Sequence, residues 1–436
     1  MTILDPNRDW KRLLSFLPED YAELAIEHRQ LNTQWANAKI STADVLLRFI
    51  FLHVGADMPL RQTVAIMAES GGPKLSAVRL HHRMRRAQPY LAALVARMTS
   101  LTQEAAPERW GGYEMMCMDG STVSGPGATG IDARLHAVIR LCDLAVTHAL
   151  VTSVTTGESL RRFFWTTDQL VIADRGYCNP PGLAWVVDQK ADALVRVNRG
   201  SLPLFDAEND ADIDVLAWCR TLVGHAAHET RVYTVDGQGR KARSIAGRLI
   251  GFRLPAEEAE EARARVRKEH GSAATAEQLE AAGYVILFTT APACRLSAAR
   301  CVEAYRLRWQ VELLFKRWKS LCHFDRLPNY RDDTIQAWLT GKLLLGLLLD
   351  RIGAVEIPPP VLTSRSARTL ARQPWKLTSI LWPLILGAVM PLSLDAAIER
   401  APALVERLEE LDDDVDDRQI TTFRNRFYCE SASPNC

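Results

Sequence analysis

Gln169-Leu170-Val171-Ile172-Ala173-Asp174-Arg175-Gly176-Tyr177 contains a compact apolar run that stops on a carboxylate and then turns at a glycine. An uninterrupted apolar run of this length reads as a strand buried on both faces, as in a sheet covered by helices. Upstream, Tyr113 to Met118, Leu135 to Leu141 and His148 to Val154 have the β-branched or alternating apolar character of strands, and a short helical piece follows near Glu158 to Phe164. Downstream, Pro181 to Lys190 reads as a helix and Ala193 to Val197 as a strand. Three strands, a helix, then strand–helix–strand is an α/β pattern.

Around this core the character changes. From about Gly200 to Pro292, short strand-like runs (Arg231 to Val235, Ile245 to Phe252, Val285 to Thr290) surround a charged helical segment, Ala256 to His270. They read as an inserted, largely β subdomain over 201–292. Ser297 to about Ser320 reads as one long helix, and Thr334 to Ile352 as another. The expected organisation is a helical N-terminal region (1–105), the first part of the α/β core (106–200), the insert (201–292), a helix completing the core (293–330), a helical C-terminal region (331–410) and an acidic, disordered tail (411–436). No internal repeat is visible.

The first hundred residues hold a recognisable unit. Ala43 to Val54 and Pro59 to Met67 read as helices, Gly71-Gly72-Pro73 breaks the chain, and Ser76 can cap a helix running to about Ala87. That helix carries Arg79, Arg83, Arg85 and Arg86 beside Val78, Leu80 and Met84. Helix, glycine turn and basic amphipathic helix is the pattern of a helix-turn-helix reader of DNA, and a solvated basic face is the plainer alternative.

Charge agrees with a polyanionic partner locally, though not globally. The 436 residues carry a formal net charge of +1. Yet Arg61 to Arg86 contains six Lys/Arg against one acid, Arg295 to Arg331 nine against three, and the balancing acid is concentrated elsewhere, as in Glu409 to Asp417. Nine scattered cysteines with no C-x-x-C pair point to reduced thiols and away from a structural zinc site. His225, His228 and His270 lack ligand spacing and read as surface residues. Asp5, Arg8, Asp9 and Lys11 interrupt any apolar leader, and Trp338 to Leu349, broken by Lys342, is too short to cross a bilayer of roughly 20 residues' depth. A cytoplasmic protein with no membrane partner is the expectation.

Two aspartates follow strands: Asp119 in Met118-Asp119-Gly120-Ser121-Thr122, and Asp174 in Ala173-Asp174-Arg175-Gly176-Tyr177. Carboxylates at the carboxyl ends of neighbouring strands face one crevice, where open α/β sheets place ligands. With a third acid they can hold two Mg²⁺ ions about 4 Å apart for phosphodiester chemistry. Taken singly, either is more simply a turn or cap residue. A third stretch shifts the balance: at about 100° per residue, Tyr305, Arg308, Glu312, Lys316 and Lys319 fall within an arc of about 80°. One face thus offers a carboxylate for metal with basic groups for phosphate, although an i,i+4 salt-bridge face would look alike.

Tyr305, Arg308, Glu312 and Lys319, spaced Tyr-x₂-Arg-x₃-Glu-x₆-Lys, resemble the signature helix of insertion-sequence family four DDE transposases, and the motifs around Asp119 and Asp174 resemble that family's two aspartate motifs. The resemblance covers about residues 40–350. It implies a ribonuclease H-like catalytic core, two Mg²⁺ ions per site (Mn²⁺ possible) at Asp119, Asp174 and Glu312, and cut-and-paste transposition through hairpinned ends. It further implies a strand-end phosphate gripped by Tyr305, Arg308 and Lys319, with Lys316, Arg175 and Arg196 as weaker candidates. Trp309 is a candidate for stacking a flipped base. Transposon-end inverted repeats, read by Arg79, Arg83 and Arg86, and target DNA are the implied partners, with a homodimer acting on both ends.

Three other readings remain. Gly125-Pro126-Gly127-Ala128-Thr129-Gly130 formally matches a dinucleotide-binding loop, but no helix pattern follows and Pro126 removes a phosphate-binding N–H. A ribonuclease H-like nuclease without strand transfer, and a non-catalytic DNA-binding derivative of such an element, share the same motifs.

Overall fold

The computed structural model describes residues 6–31, 40–103, 109–125, 133–239, 242–328, 332–356, 367–404 and 406–407. In chain order the elements are α1 (Pro6–Leu14), α2 (Tyr21–Glu27), α3 (Ala43–Gly55), α4 (Leu60–Glu69), α5 (Ala77–Arg86), α6 (Gln88–Gln103), β1 (Glu114–Val123), β2 (Ala133–Arg140), β3 (Val146–Thr152), β4 (Gln169–Ala173), α7 (Pro180–Asp188) and β5 (Asp192–Arg196). They continue with β6 (Phe205–Asp206), α8 (Val215–Arg220), β7 (His228–Asp236), β8 (Arg243–Arg253), α9 (Ala256–His270), α10 (Ala276–Ala281), β9 (Tyr284–Thr289), α11 (Ala298–Arg306), α12 (Trp309–Cys322), α13 (Asp332–Glu356), α14 (Ala367–Val389) and α15 (Leu394–Glu399). The described residues fall into two compact units: one from 1–98, 321–357 and 376–436, the other from 99–320 and 358–375. The acidic tail expected at 411–436 lies outside the described residues, as do 126–132 of the glycine-rich segment. Among the described residues no helix is long and apolar enough to cross a membrane.

The first unit is helical. Its core helix α3 is buried at nearly every position and packs against α13, where Gly341 permits close approach: a Cβ there would lie 3.2 Å from Val54 and 3.3 Å from Ile50. The glycine-bearing turn between α4 and α5 has a backbone reason. Gly71 has φ +85°, and a Cβ on Gly72 would lie 2.7 Å from the Met67 carbonyl oxygen. The Ser76 hydroxyl accepts from the Arg79 N–H at 3.3 Å and starts α5. Leu80 and Met84 are fully buried, while Arg79 and Arg86 are exposed.

The second unit is built on one nine-stranded sheet of order β3-β2-β1-β4-β5-β9-β8-β7-β6. β1, β4 and β5 are parallel neighbours, and the remaining pairs are antiparallel. All five residues of β4 are buried, as its apolar run requires. Side chains alternate between faces. Met116, Met118, Val171 and Ala173 pack with Leu183 and Val186 of α7, whereas Met115, Leu170, Ile172 and Leu194 pack with Cys301 and Ala304 of α11.

Three expectations take a different form. Asp119 does not follow its strand: β1 runs on to Val123, and Asp119 pairs with Ala137 of β2. Gly120-Ser121-Thr122 has turn-like composition, but the hairpin ladder with β2 holds it extended. The strands of 201–292 form no sheet of their own. β9 joins β5 and carries β8, β7 and β6 with it. Finally, the long helix is two, α11 and α12, separated at Leu307–Arg308, where the backbone tightens through Leu307 N–H to Ala304 O (3.1 Å) and Arg308 N–H to Tyr305 O (3.0 Å).

The continuity of the sheet is testable at Gly247. A Cβ there would lie 2.4 Å from the fully buried Phe288 ring and 2.8 Å from the Thr289 carbonyl oxygen. Gly247→Ala is expected to destabilise the protein by about 1–3 kcal/mol, as overpacking does, measured by urea unfolding. An unchanged midpoint would contradict the β8–β9 register.

Candidate active site

The parallel register of β1 and β4 brings the first two acids together. Glu114 through Cys117 pair with Gln169 through Ile172 at a constant offset of 55 residues (169 − 114). Asp119 and Asp174 have that same offset (174 − 119 = 55), each two residues past the last pair, Cys117 with Ile172. By alternation, Asp119 shares a face with Met115, and Asp174 with Leu170 and Ile172, the face on which α11 packs. The carboxylates therefore point toward the chain that carries Tyr305 and Arg308.

Their environments differ. The Asp119 side chain is 17% exposed, and its Oδ1 accepts from the Gly120 N–H at 2.8 Å. Burial dominates and pushes its carboxyl up to about 7. Burial also works on Asp174, but the Arg308 guanidinium, the Arg175 N–H, the Tyr305 hydroxyl and Arg196 outweigh it and hold this carboxyl below its ordinary value. Tyr305 Oη donates to Asp174 Oδ1 at 2.9 Å.

Arg308 is the hub. Its guanidinium lies 3.5 Å from Asp119 and pairs with Glu312, four residues on. Burial opposes its charge, but Tyr305, Asp174, Glu312 and Asp119 hold its proton more firmly than usual. The break between α11 and α12 places it there, and Cys117 of β1 donates its thiol to the Arg308 carbonyl at 3.4 Å. Arg308 Nε is buried, with no hydrogen-bond partner among the described residues.

The other sequence candidates are arranged around this hub. Glu312 is 51% exposed and committed to Arg308. Among the described residues no three acid, imidazole or thiol groups are gathered into a ready metal cage. Lys319 Nζ donates to the Thr122 carbonyl at 2.8 Å, in the same strand as Asp119, while Lys316 is exposed. Arg175, Arg196 and Trp309 line a cavity of about 920 Å³ together with Asp174, Tyr305 and Arg308. Arg175 also makes an exposed 3.8 Å pair with Glu269 of α9, of the kind that stabilises little. Arg79, Arg83 and Arg86 lie on α5 in the helical unit.

One acid escaped the sequence reading. Glu158 sits in the loop after β3, and its carboxylate lies against Gly120 and Gly176, the glycines of the two aspartate motifs. Those two glycines were its signal: each leaves open the space a side chain would fill.

An aspartate pair from adjacent parallel strands thus meets a carboxylate, a guanidinium and a phenol carried by α11, α12 and the bend between them, which brings hard oxygen donors beside a basic group. Residues 110–348 match the family described as Transposase DDE domain. The chain is 32% identical over 361 residues to the transposase of insertion sequence element IS421 from Escherichia coli, covering 80% of this chain and 96% of that protein. The protein InsL of insertion sequence element IS186A, from Escherichia coli strain K12, is likewise 32% identical over 360 residues, with the same coverage. The transposase of IS231F from Bacillus thuringiensis subsp. israelensis is 38% identical over 63 residues, 14% of this chain and 13% of that protein. The chain belongs to the DDE transposases.

The Asp119 environment has a stability consequence. Its folded value of about 7 lies above the ordinary 3.8. Between those values the folded state binds more protons than the unfolded one, so metal-free stability falls as pH rises from about 4 to about 7. Asp119→Asn removes that loss. In EDTA at pH 8 it is expected to raise the melting temperature by on the order of 3 °C or more, with the gain vanishing near pH 4. A lower melting temperature at pH 8 would contradict the burial argument.

Proposed function

We propose that this transposase binds the terminal inverted repeats of an insertion sequence and performs metal-dependent cleavage, hairpin formation and strand transfer, with Asp119, Asp174 and Glu312 as its metal-holding acids. The observation that carries the reading is Asp119 and Asp174 at matching positions just past the β1–β4 pairing, with Arg308 held by both Asp119 and Glu312. Carboxylates alone make a donor set suited to Mg²⁺, with Mn²⁺ the alternative. Two bound ions would supply activation of the attacking oxygen and charge neutralisation at the leaving oxygen.

The chain's own groups do the rest. Arg308 compensates the acids while DNA is absent. A strand-end phosphate offers the guanidinium bidentate oxygens and gives its buried Nε a partner. Glu312 is then released to turn toward the aspartates. Tyr305 orients Asp174 through its hydroxyl, and Lys319, with Lys316 in support, holds the phosphate beyond β1. Arg175 and Arg196 carry the backbone through the cavity beside Asp174, where Trp309 can receive an unstacked base. Water nicks one strand, and the freed 3′-hydroxyl attacks the opposite strand and closes a hairpin. The reopened 3′ end is then joined to target DNA.

The strands β1 to β5 suit a ribonuclease H-like core, with 201–292 as its insert and 293–330 completing it. Exposed Arg79 and Arg86, with Arg83 between them, suit α5 as the repeat-reading helix. Two ends processed together call for a homodimer, acting in the bacterial cytoplasm at the nucleoid.

Incubating the full chain with a labelled terminal-repeat duplex in Mg²⁺ should give a nick and then a hairpin on a denaturing gel, both absent in EDTA. Asp119→Asn or Glu312→Gln is expected to abolish cleavage with DNA affinity nearly intact. Wild-type-like cutting by either would remove the assignment. Arg308→Ala should impair hairpin formation more than the first nick, and equal loss of both steps would count against its role at the strand end. Arg79→Ala and Arg86→Ala should each flatten the salt dependence of binding by roughly one phosphate contact, and an unchanged slope would exclude α5 from the backbone.

A further inference from the structure

We propose that Glu158 is a further carboxylate of the catalytic centre, acting through coordinated water on the divalent ion that Asp119 and Asp174 hold. The inference rests on the metal-dependent reading above. Glu158 lies between β3 and the short 3₁₀ turn Leu160–Arg162, and its two oxygens approach the backbone that follows each aspartate. A Cβ built on Gly176, two residues after Asp174, would meet Glu158 Oε2 at 2.1 Å, and one on Gly120, next to Asp119, would meet Oε1 at 3.4 Å. Any side chain at Gly176 would take the carboxylate's place.

A second, independent feature points the same way. The Tyr177 side chain is fully buried, and among the described residues its hydroxyl has no hydrogen-bond partner. It lies 3.3 Å from the same Cβ position on Gly120 that Glu158 approaches. A hydroxyl left unpaired in such a place is ready for a water molecule or for the carboxylate itself. Arg134 makes a long ion pair with the acid: its Nη1 lies 3.9 Å from Oε1, beyond hydrogen-bonding distance, which leaves the carboxylate oxygens without a hydrogen bond from it. The Glu158 side chain keeps 32% of its surface open to solvent.

Water is the natural link. Mg²⁺ retains several waters when bound by one or two carboxylates, and groups one shell out orient those waters and tune affinity.

The test titrates Mn²⁺ into the full-length, DNA-free chain and follows free Mn²⁺ by electron paramagnetic resonance, with melting in EDTA recorded for each variant. Glu158→Gln removes the charge, and Gly176→Ala displaces the carboxylate while keeping it. Both are expected to weaken Mn²⁺ binding roughly tenfold with little change in EDTA melting, and Glu158→Asp should recover part of the loss. Wild-type affinity in Glu158→Gln and Gly176→Ala, with Asp119→Asn weakened, would overturn the role of Glu158 and leave the metal reading standing. If Asp119→Asn also binds like the wild type, the metal reading fails with it. Affinity that falls in step with EDTA melting in both variants would make Glu158 a structural partner of Arg134, and the proposal would be wrong.

Discussion

Parallel pairing of β1 with β4 sets the geometry on which the site depends. Because the offset between the strands is constant, Asp119 and Asp174 reach the end of the pairing together, and because side chains alternate, they reach it on one face. A slip of one residue in either strand would turn one carboxylate to the α7 face and bury it against Leu183 and Val186. The apolar residues before each aspartate guard against that slip. Met115, Met116, Cys117 and Met118 are buried in β1, as is every residue of β4, so core packing on both faces specifies the register that chemistry then uses.

Arg308 answers the electrostatic problem that this register creates. Both carboxylates are poorly solvated, and burial drives Asp119 toward the neutral form. A guanidinium with 15% of its side chain exposed, held among Asp119, Asp174 and Glu312, offsets the charge without filling the crevice with apolar atoms. The break between α11 and α12 is what delivers it. In one continuous helix the Arg308 carbonyl would belong to the intrahelical ladder, whereas here it also accepts from the Cys117 thiol and ties the bend to β1.

The four strands beyond β5 serve the same site from the other side. β9 covers an edge that would otherwise expose unpaired backbone groups, and α9, which follows β8, brings Glu258, Glu261 and Glu269 to the wall of the cavity beside Asp174. Acids on one wall face Arg175, Arg196 and Arg308 on the other. Of these, Arg175 and Glu269 meet in an exposed pair at 3.8 Å, and Arg308 is held by Asp119 and Glu312.

Local chemistry was legible without the fold. The apolar run ending at Asp174, the spacing of Tyr305, Arg308, Glu312 and Lys319, the glycine turn before Ser76 and the strands flanking the core each depend on neighbours in the chain, and alternation or helical period reports such neighbours directly. Three features were not legible, because each arises between segments far apart in sequence. Asp119 stays within its strand because β2 pairs past it. The helix breaks at Leu307–Arg308 although no glycine or proline marks the place, because the bend is held by a thiol 191 residues away. Glu158, at the start of a short helical piece, showed no sign of a site until Gly120 and Gly176 were brought against it. The sequence by itself determined which acids and bases the protein has and on which elements they ride. The tertiary structure decided which of them meet, since only packing between distant strands and helices sets those distances.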